Sequence, residues 1–242
     1  MNNNEAVGNG AFRKLLASEI ECRVATVKAP TIEQNGDCKG GGWSVLLYKD
    51  ARVDMKLLDE VYGPMGWKRE HQTIDGRLYC TISIWDAKIG QWVSKQDVGT
   101  ESYTEKEKGQ ASDSFKRAGF NWGIGRELYT APFIWIKGRD KKDWRNQSGK
   151  MVPAMNMHVS EIEYKDDSIS FLELKDDKGE VIYTWGVCQA DADAYDLACD
   201  EMRRATSLKQ VTEIWNRYPM LKNDKGFTEL CAEMGRKYKK TA

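Results

Sequence analysis

The densest run of residues able to do chemistry is Ser114-Phe115-Lys116-Arg117-Ala118-Gly119-Phe120-Asn121-Trp122-Gly123-Ile124-Gly125-Arg126. Lys116, Arg117 and Arg126 are its cations, Lys106 and Lys108 precede it on the same helical stretch, and Phe120 and Trp122 are interleaved aromatics. Cations that track phosphates beside flat apolar faces are what a single-stranded nucleic-acid groove requires. The same residues have a plainer reading, since Lys and Arg near a helix C-terminus complement its dipole and both aromatics suit a core. A second candidate is Glu173-Leu174-Lys175, preceded by Asp166 and Asp167. Residues i and i+2 of a strand share a face, so this E-x-K could bring a carboxylate and a lysine to one Mg²⁺, as in metal-dependent nucleases. E-x-K recurs by chance, however, and the KDDKG that follows reads as an ordinary turn at a hairpin edge.

Other chemistries lack their residues. There is no G-x-x-x-x-G-K-[ST], no G-x-G-x-x-G after a strand and no G-x-S-x-G, so nothing points to a P-loop ATPase, a dinucleotide fold or a hydrolase elbow. Only two histidines occur, His71 and His158, and the six cysteines contain no C-x-x-C. That argues against a zinc site or a His-centred active site and for cysteines acting as small buried hydrophobes. The expectation is a protein without cofactor or metal, and not an enzyme. No apolar run approaches the roughly 20 residues of a membrane span, and MNNNEAVGNG lacks a signal-peptide core, so a cytoplasmic protein without a membrane partner is expected. The 37 basic and 37 acidic residues cancel. Residues 100–150 nevertheless hold 11 Lys/Arg against 7 Asp/Glu, a net +4, whereas 151–200 hold 3 against 12, a net −9. Zero net charge therefore does not argue against a polyanion partner, because binding follows local potential.

The elements that must position these residues are partly legible. Helical spacing over 11–24 predicts a first helix, EQNGDCKGGG (33–42) a loop and WSVLLY (43–48) a strand. ARVDMKLLDEVYG (51–63) reads as a helix with Val53, Leu57, Leu58 and Val61 on one face, stopped by Gly63-Pro64. From Trp67 to Gly99 the period changes to two, which predicts three antiparallel strands turning at Asp75-Gly76 and near Ile89-Gly90. A helix follows over 104–120, capped by Thr104 with Glu107 closing a capping box. Alternation resumes at 128–138, a mobile lysine-rich loop is expected at 139–150, and a hairpin pairs 168–174 with 180–186. Residues 190–242 read as a helical pair broken at Tyr218-Pro219.

Three segments, in order, resemble single-strand annealing proteins of the Rad-fifty-two type, including the phage Sak-like branch. They are KGGGWSVLLYKDAR (39–52), LDEVYGPMGW (58–67) and DVGTESYTEKEKGQASDSFKRAGFNWGIG (97–125). The resemblance covers roughly residues 39–130. It implies an α+β fold with an antiparallel β-β-β-α core of the single-strand annealing type, to which this chain adds a β-hairpin and the C-terminal helical pair. The corresponding divisions are 1–38 (N-terminal helix and loop), 39–138 (annealing core), 139–189 (loop and hairpin) and 190–242 (helical domain).

Carried over by position, the resemblance places Lys116 and Arg117 on the DNA backbone in an inner groove. It makes Arg52, just after the triple glycine and its strand, a further DNA contact, with the bases splayed outward. The segment between Asp97 and Lys116 is shorter than in eukaryotic members, so Lys106 and Lys108 stand only as substitutes for their outer-site lysines. Arg126 is a candidate from the basic-aromatic run alone. The implied activity is ATP-independent binding of single-stranded DNA and annealing of complementary strands in recombination and repair. The implied assembly is a homo-oligomeric ring or filament. The C-terminal helices are open to a single-strand binding protein or an exonuclease as partner, or to packing on the core. A phage origin would place the protein in the bacterial host cytoplasm. Three alternatives remain at this point: a DNA-coating recombination accessory protein that does not anneal, an annealing protein of the RecT/Redβ or ERF type, and the nuclease.

Overall fold

The computed structural model describes residues 11–34, 37–101 and 106–239. The fold is α+β, with mostly antiparallel sheets and five α-helices among the described residues. It divides into two compact units, one running to Trp185 and the other starting at Gly186, and each has its own buried core. No helix among the described residues is long and apolar enough to cross a membrane.

The first unit opens with a correction. Instead of a helix over 11–24 there is a short 3-10 turn, Ala17–Glu19, and then strand β1, Glu21–Lys28. The β-branched Val24, Thr26 and Val27 favour a strand. What looks like helical spacing is Leu15 and Ile20 reaching the core from either side of the turn. The short strands β2, Thr31–Ile32, and β3, Cys38–Lys39, pair with each other. Strand β4, Gly42–Tyr48, pairs antiparallel with β1 through Cys22↔Leu47 and Val24↔Val45. The triple glycine serves the turn between β3 and β4. Gly41 has φ 79°, and a Cβ there would lie 2.7 Å from Pro30 N and 2.9 Å from Lys28 O, so only glycine fits.

Helix α1, Ala51–Tyr62, starts where the Asp50 carboxylate accepts the Arg52 N–H and ends at Gly63, as its sequence predicts. The three predicted strands are β5, Trp67–Ile74, β6, Arg77–Asp86, and β7, Gln91–Val98, forming a separate antiparallel sheet. Cys80, Ile82 and Ile84 on β6 point to one face and are buried, where helix α2, Lys106–Trp122, packs with Phe115 and Ala118. The expected Thr104 cap lies outside the described residues.

A 3-10 turn at Arg126–Thr130 replaces the beginning of the alternation expected over 128–138, and only Ile134–Lys137 forms a strand, β8. The expected mobile loop at 139–150 is instead a 3-10 turn followed by a hairpin, β9, Trp144–Gln147, and β10, Lys150–Pro153. Buried Trp144 anchors it, its ring edge-on to Trp43 at 5.3 Å. Next come β11, Met157–Lys165, which the sequence reading missed, and the predicted hairpin β12, Ser168–Asp176, and β13, Val181–Gly186. These strands complete a six-stranded sheet ordered β13-β12-β11-β1-β4-β8.

The second unit has three helices where a pair is predicted: α3, Gln189–Arg204, α4, Leu208–Arg217, and α5, Lys225–Lys239. Ala205-Thr206-Ser207 interrupts the first two, with the Ser207 hydroxyl capping α4. Phe227, Met202 and Ala198 form its fully buried centre. None of the six cysteines is in a disulfide. Cys80, Cys199 and Cys231 are buried, and burial pushes the thiols of Cys22, Cys80 and Cys231 up to about 11.

Candidate nucleic-acid interface

A cleft of about 540 Å³ runs between the C-terminal half of α2 and the exposed side of β1 and β4. Lys116, Arg117 and Phe120 line it from the helix, Arg23 and Tyr48 from the sheet, and Tyr129 from the 3-10 turn. Alternation puts Arg23 and Leu46 opposite each other on the non-core face, while Val45 of the same strand is buried in the core. The helix contributes through its period: Lys116 and Phe120, four residues apart, stack on one side, and Phe115 and Ala118 turn to the core.

The cations differ in how far they are committed. Among the described residues, neither Lys116 nor Arg23 has an ion pair or a side-chain hydrogen bond. Arg117 is exposed and its Nε lies 3.3 Å from the Asp97 carboxylate, a single solvent-side contact of small net value. Arg126 caps the end of α2, donating to the carbonyls of Phe120 and Asn121 at 2.9 Å each, with its guanidinium 5.5 Å from the Phe120 ring.

Beneath Lys116 is a buried ion pair. Lys49 Nζ donates to both Asp54 carboxylate oxygens at 2.5 and 2.6 Å, with the Asp54 side chain 0% and the Lys49 side chain 8% exposed. Burial pushes Asp54 up to about 6 despite the attraction of Lys49 and Lys116, and pushes Lys49 down despite Asp54. A Cβ on Gly119 would collide with Asp54 Oδ1, and one on Gly125 with Lys49 Cε. Glycines in the helix and its exit thus let the pair sit under the cleft. Tyr48, bonded to Glu21, has its hydroxyl raised to about 12.

Of the residues singled out from sequence, Lys116 and Arg117 meet in the cleft. Arg126 stands at its end with its guanidinium turned to the helix carbonyls. Arg52 lies outside the lining, its side chain 86% exposed and paired with Asp50 at 2.7 Å. Lys106 and Lys108 are exposed in the first turn of α2, about 15 and 12 Å along the axis from Lys116, and Lys106 is 3.6 Å from Glu101. Trp122 is structural: its indole N–H donates to the Ile82 carbonyl at 3.1 Å. Arg23, Tyr48 and Tyr129 were missed. Only the strand alternation of β1, masked by the helical reading of 11–24, could have pointed to Arg23.

The E-x-K pair closes on itself. Glu173 accepts from Lys175 at 3.0 Å and from the Ser160 hydroxyl at 2.8 Å, which holds its carboxyl below the usual range. Asp166 and Asp167 form the β11–β12 turn with left-handed φ, and Glu173 lies about 17 Å along β12 from Ser168 beside that turn. Among the described residues no three His, Cys, Asp or Glu side chains gather as a metal site requires.

Two curated proteins share a stretch of this sequence. The single-stranded DNA-binding protein DdrA of Deinococcus deserti is 34% identical over 100 residues, 40% of this chain and 48% of that protein. Its namesake in Deinococcus radiodurans is 32% identical over 100 residues, 40% of this chain and 47% of that protein. The chain therefore spans about half the length of the curated relatives it matches. No protein-family profile matches the chain, and no solved structure does.

Proposed function

We propose that this protein binds single-stranded DNA along the cleft of Lys116, Arg117 and Arg23, and that it anneals complementary strands in recombination and repair without ATP. The observation that carries the reading is the cleft itself. Two cations with no ion pair or side-chain hydrogen bond among the described residues and a third weakly committed one border exposed aromatic rings, so phosphates and bases both find complementary groups. The single-stranded DNA binding for which the Deinococcus relatives are named supports the same ligand. Neutralising phosphates on two strands lowers their mutual repulsion, base pairing supplies the specificity, and annealing is downhill, so nothing in the mechanism calls for an active site. Arg52, Arg126, Lys106 and Lys108 extend the basic path outside the cleft. Assembly into a homo-oligomeric ring or filament in the cytoplasm, with the C-terminal helices available to a single-strand binding protein or an exonuclease, belongs to the same reading. Light scattering with and without oligonucleotide tests the assembly.

The central experiment mixes two complementary labelled oligonucleotides, without ATP, with and without the protein. Faster pairing that declines with added salt is expected. Lys116→Ala with Arg117→Ala should remove most binding and flatten the salt dependence by about 1.4 in the log–log slope, at roughly 0.7 per phosphate contact on a single strand. Strands bound but not paired faster would make this a coating protein, a reading that the relatives' names favour as well. Normal binding by the double variant would refute the cleft assignment.

A further inference from the structure

We infer that Tyr129 and the Phe133–Trp135 pair are the surface on which the unpaired bases of the bound strand stack, an assignment that rests on the proposed cleft. Tyr129 and Phe133 are 78% and 79% exposed, an unusual cost for aromatic side chains unless something covers them. Tyr129 lines the cleft and leans on Phe120, ring centroids 4.8 Å apart, so its position is braced by the ring that Arg126 covers on the helix side. Phe133 lies against Trp135, centroids 6.4 Å apart and planes 15° from parallel, so the exposed Phe133 ring is braced by its neighbour.

The sheet register connects these rings to the cations. Val45↔Ile134 and Arg23↔Leu46 are paired, so continuing the ladder by one residue sets Phe133 beside Leu46 and two strands from Arg23. Side chains at 133 and 135 share the non-core face with Leu46 and Arg23, since Ile134 and Ile136 are buried. Cation, aliphatic and aromatic side chains thus form one row across the open face that continues the cleft. Lys116, Arg117 and Arg23 meet phosphates, and the rings of Tyr129, Phe133 and Trp135 meet bases. The occupant this chemistry selects is a strand whose bases are unpaired, because a duplex keeps its base faces stacked on one another.

The test compares the affinity of the 242-residue chain for a labelled oligothymidylate and for a length-matched abasic deoxyribose-phosphate strand. The base-bearing strand should bind about tenfold tighter or more, since stacking on an aromatic is worth roughly 1–3 kcal/mol per base. Tyr129→Ala with Phe133→Ala should abolish that preference while leaving the salt slope unchanged. Tyr129→Phe with Phe133→Tyr should keep the preference, and Lys116→Ala with Arg117→Ala should keep it while lowering the slope. Equal binding of the two strands by the wild type, or a preference that survives the alanine substitutions, overturns this assignment and leaves the cleft standing. A change in oligomeric mass with base preference intact would show that a second copy covers the rings, and overturns it too. Binding of neither strand refutes the cleft itself.

Discussion

Replacing Lys49 by methionine removes the cation that faces Asp54 and keeps most of the packed stem, so it isolates the electrostatic part of the pair beneath the cleft. Asp54 is 0% exposed and accepts from Lys49 through both oxygens. Breaking a buried pair by removing one partner costs about 3–5 kcal/mol because the other charge is stranded. In a unit of this size each kcal/mol lowers the melting temperature by about 2–4 °C, so a loss of about 6–20 °C is expected. The loss should depend on pH. Burial already raises Asp54 to about 6, with Lys49 and then Lys116 acting against it; without Lys49 the carboxyl moves higher still. Its folded value then lies above its unfolded one, so the stability of the protonated acid is present at low pH and is lost as pH rises through the folded value. The deficit of Lys49→Met relative to wild type should therefore be small near pH 5 and grow steadily towards pH 8. Lys49→Met combined with Asp54→Leu should recover most of the stability at both, since an apolar replacement of a whole buried pair is often neutral. Thermal melts followed by circular dichroism at the two pH values read all of this. A deficit of the same size at pH 5 and pH 8, or a single variant within about 2 °C of wild type at pH 8, would refute the reasoning.

Two further predictions concern the same unit. Gly119→Ala should destabilise by about 1–3 kcal/mol in a denaturant titration, the usual cost of forcing atoms into a packed site. Ordinary helix propensity predicts the opposite sign, a gain of up to about 1 kcal/mol, so the direction alone decides whether Asp54 Oδ1 sits where a Cβ would go. Glu19 accepts from Arg13 at 2.7 Å through each oxygen, from Lys56 at 2.7 Å and from the Leu16 N–H at 3.0 Å, which lowers its carboxyl to about 2. Its folded value lies below the unfolded one, so its contribution, on the order of 2–3 kcal/mol, is present above about pH 4.5 and lost as pH falls towards 2. Urea midpoints of Glu19→Gln and wild type should differ at pH 6 and converge near pH 2.

Where local patterning and final placement agree, the sequence is easily read. The alternation from Trp67 to Gly99 and the Asp75-Gly76 turn specify a meander by themselves, because a one-residue slip would expose Cys80, Ile82 and Ile84. α1 and its Gly63 stop, and the hairpin of β12 and β13, are legible for the same reason. The stretch 11–24 misleads because a turn at 17–19 lets Leu15 and Ile20 enter the core at a spacing that mimics a helix. β11 escapes notice because its partners, β1 and β12, lie on opposite sides of it in the sheet, and one of them is over a hundred residues away in sequence.

The candidate site divides along the same line. Composition and spacing are enough to mark Lys116, Arg117 and Phe120 as a basic-aromatic run on a helix, because residue type and the 3.6-residue period are local properties. Only the tertiary structure decides that Trp122 is spent on the Ile82 carbonyl, that Arg126 is turned to helix carbonyls and that Lys106 is far from the cleft. The same holds for Arg23 on β1 and for Tyr129 and Phe133 about a hundred residues later, which reach the open face from widely separated parts of the unit's sequence. Which cation is left without a partner depends on where every carboxylate comes to rest, and that is a property of the packed chain.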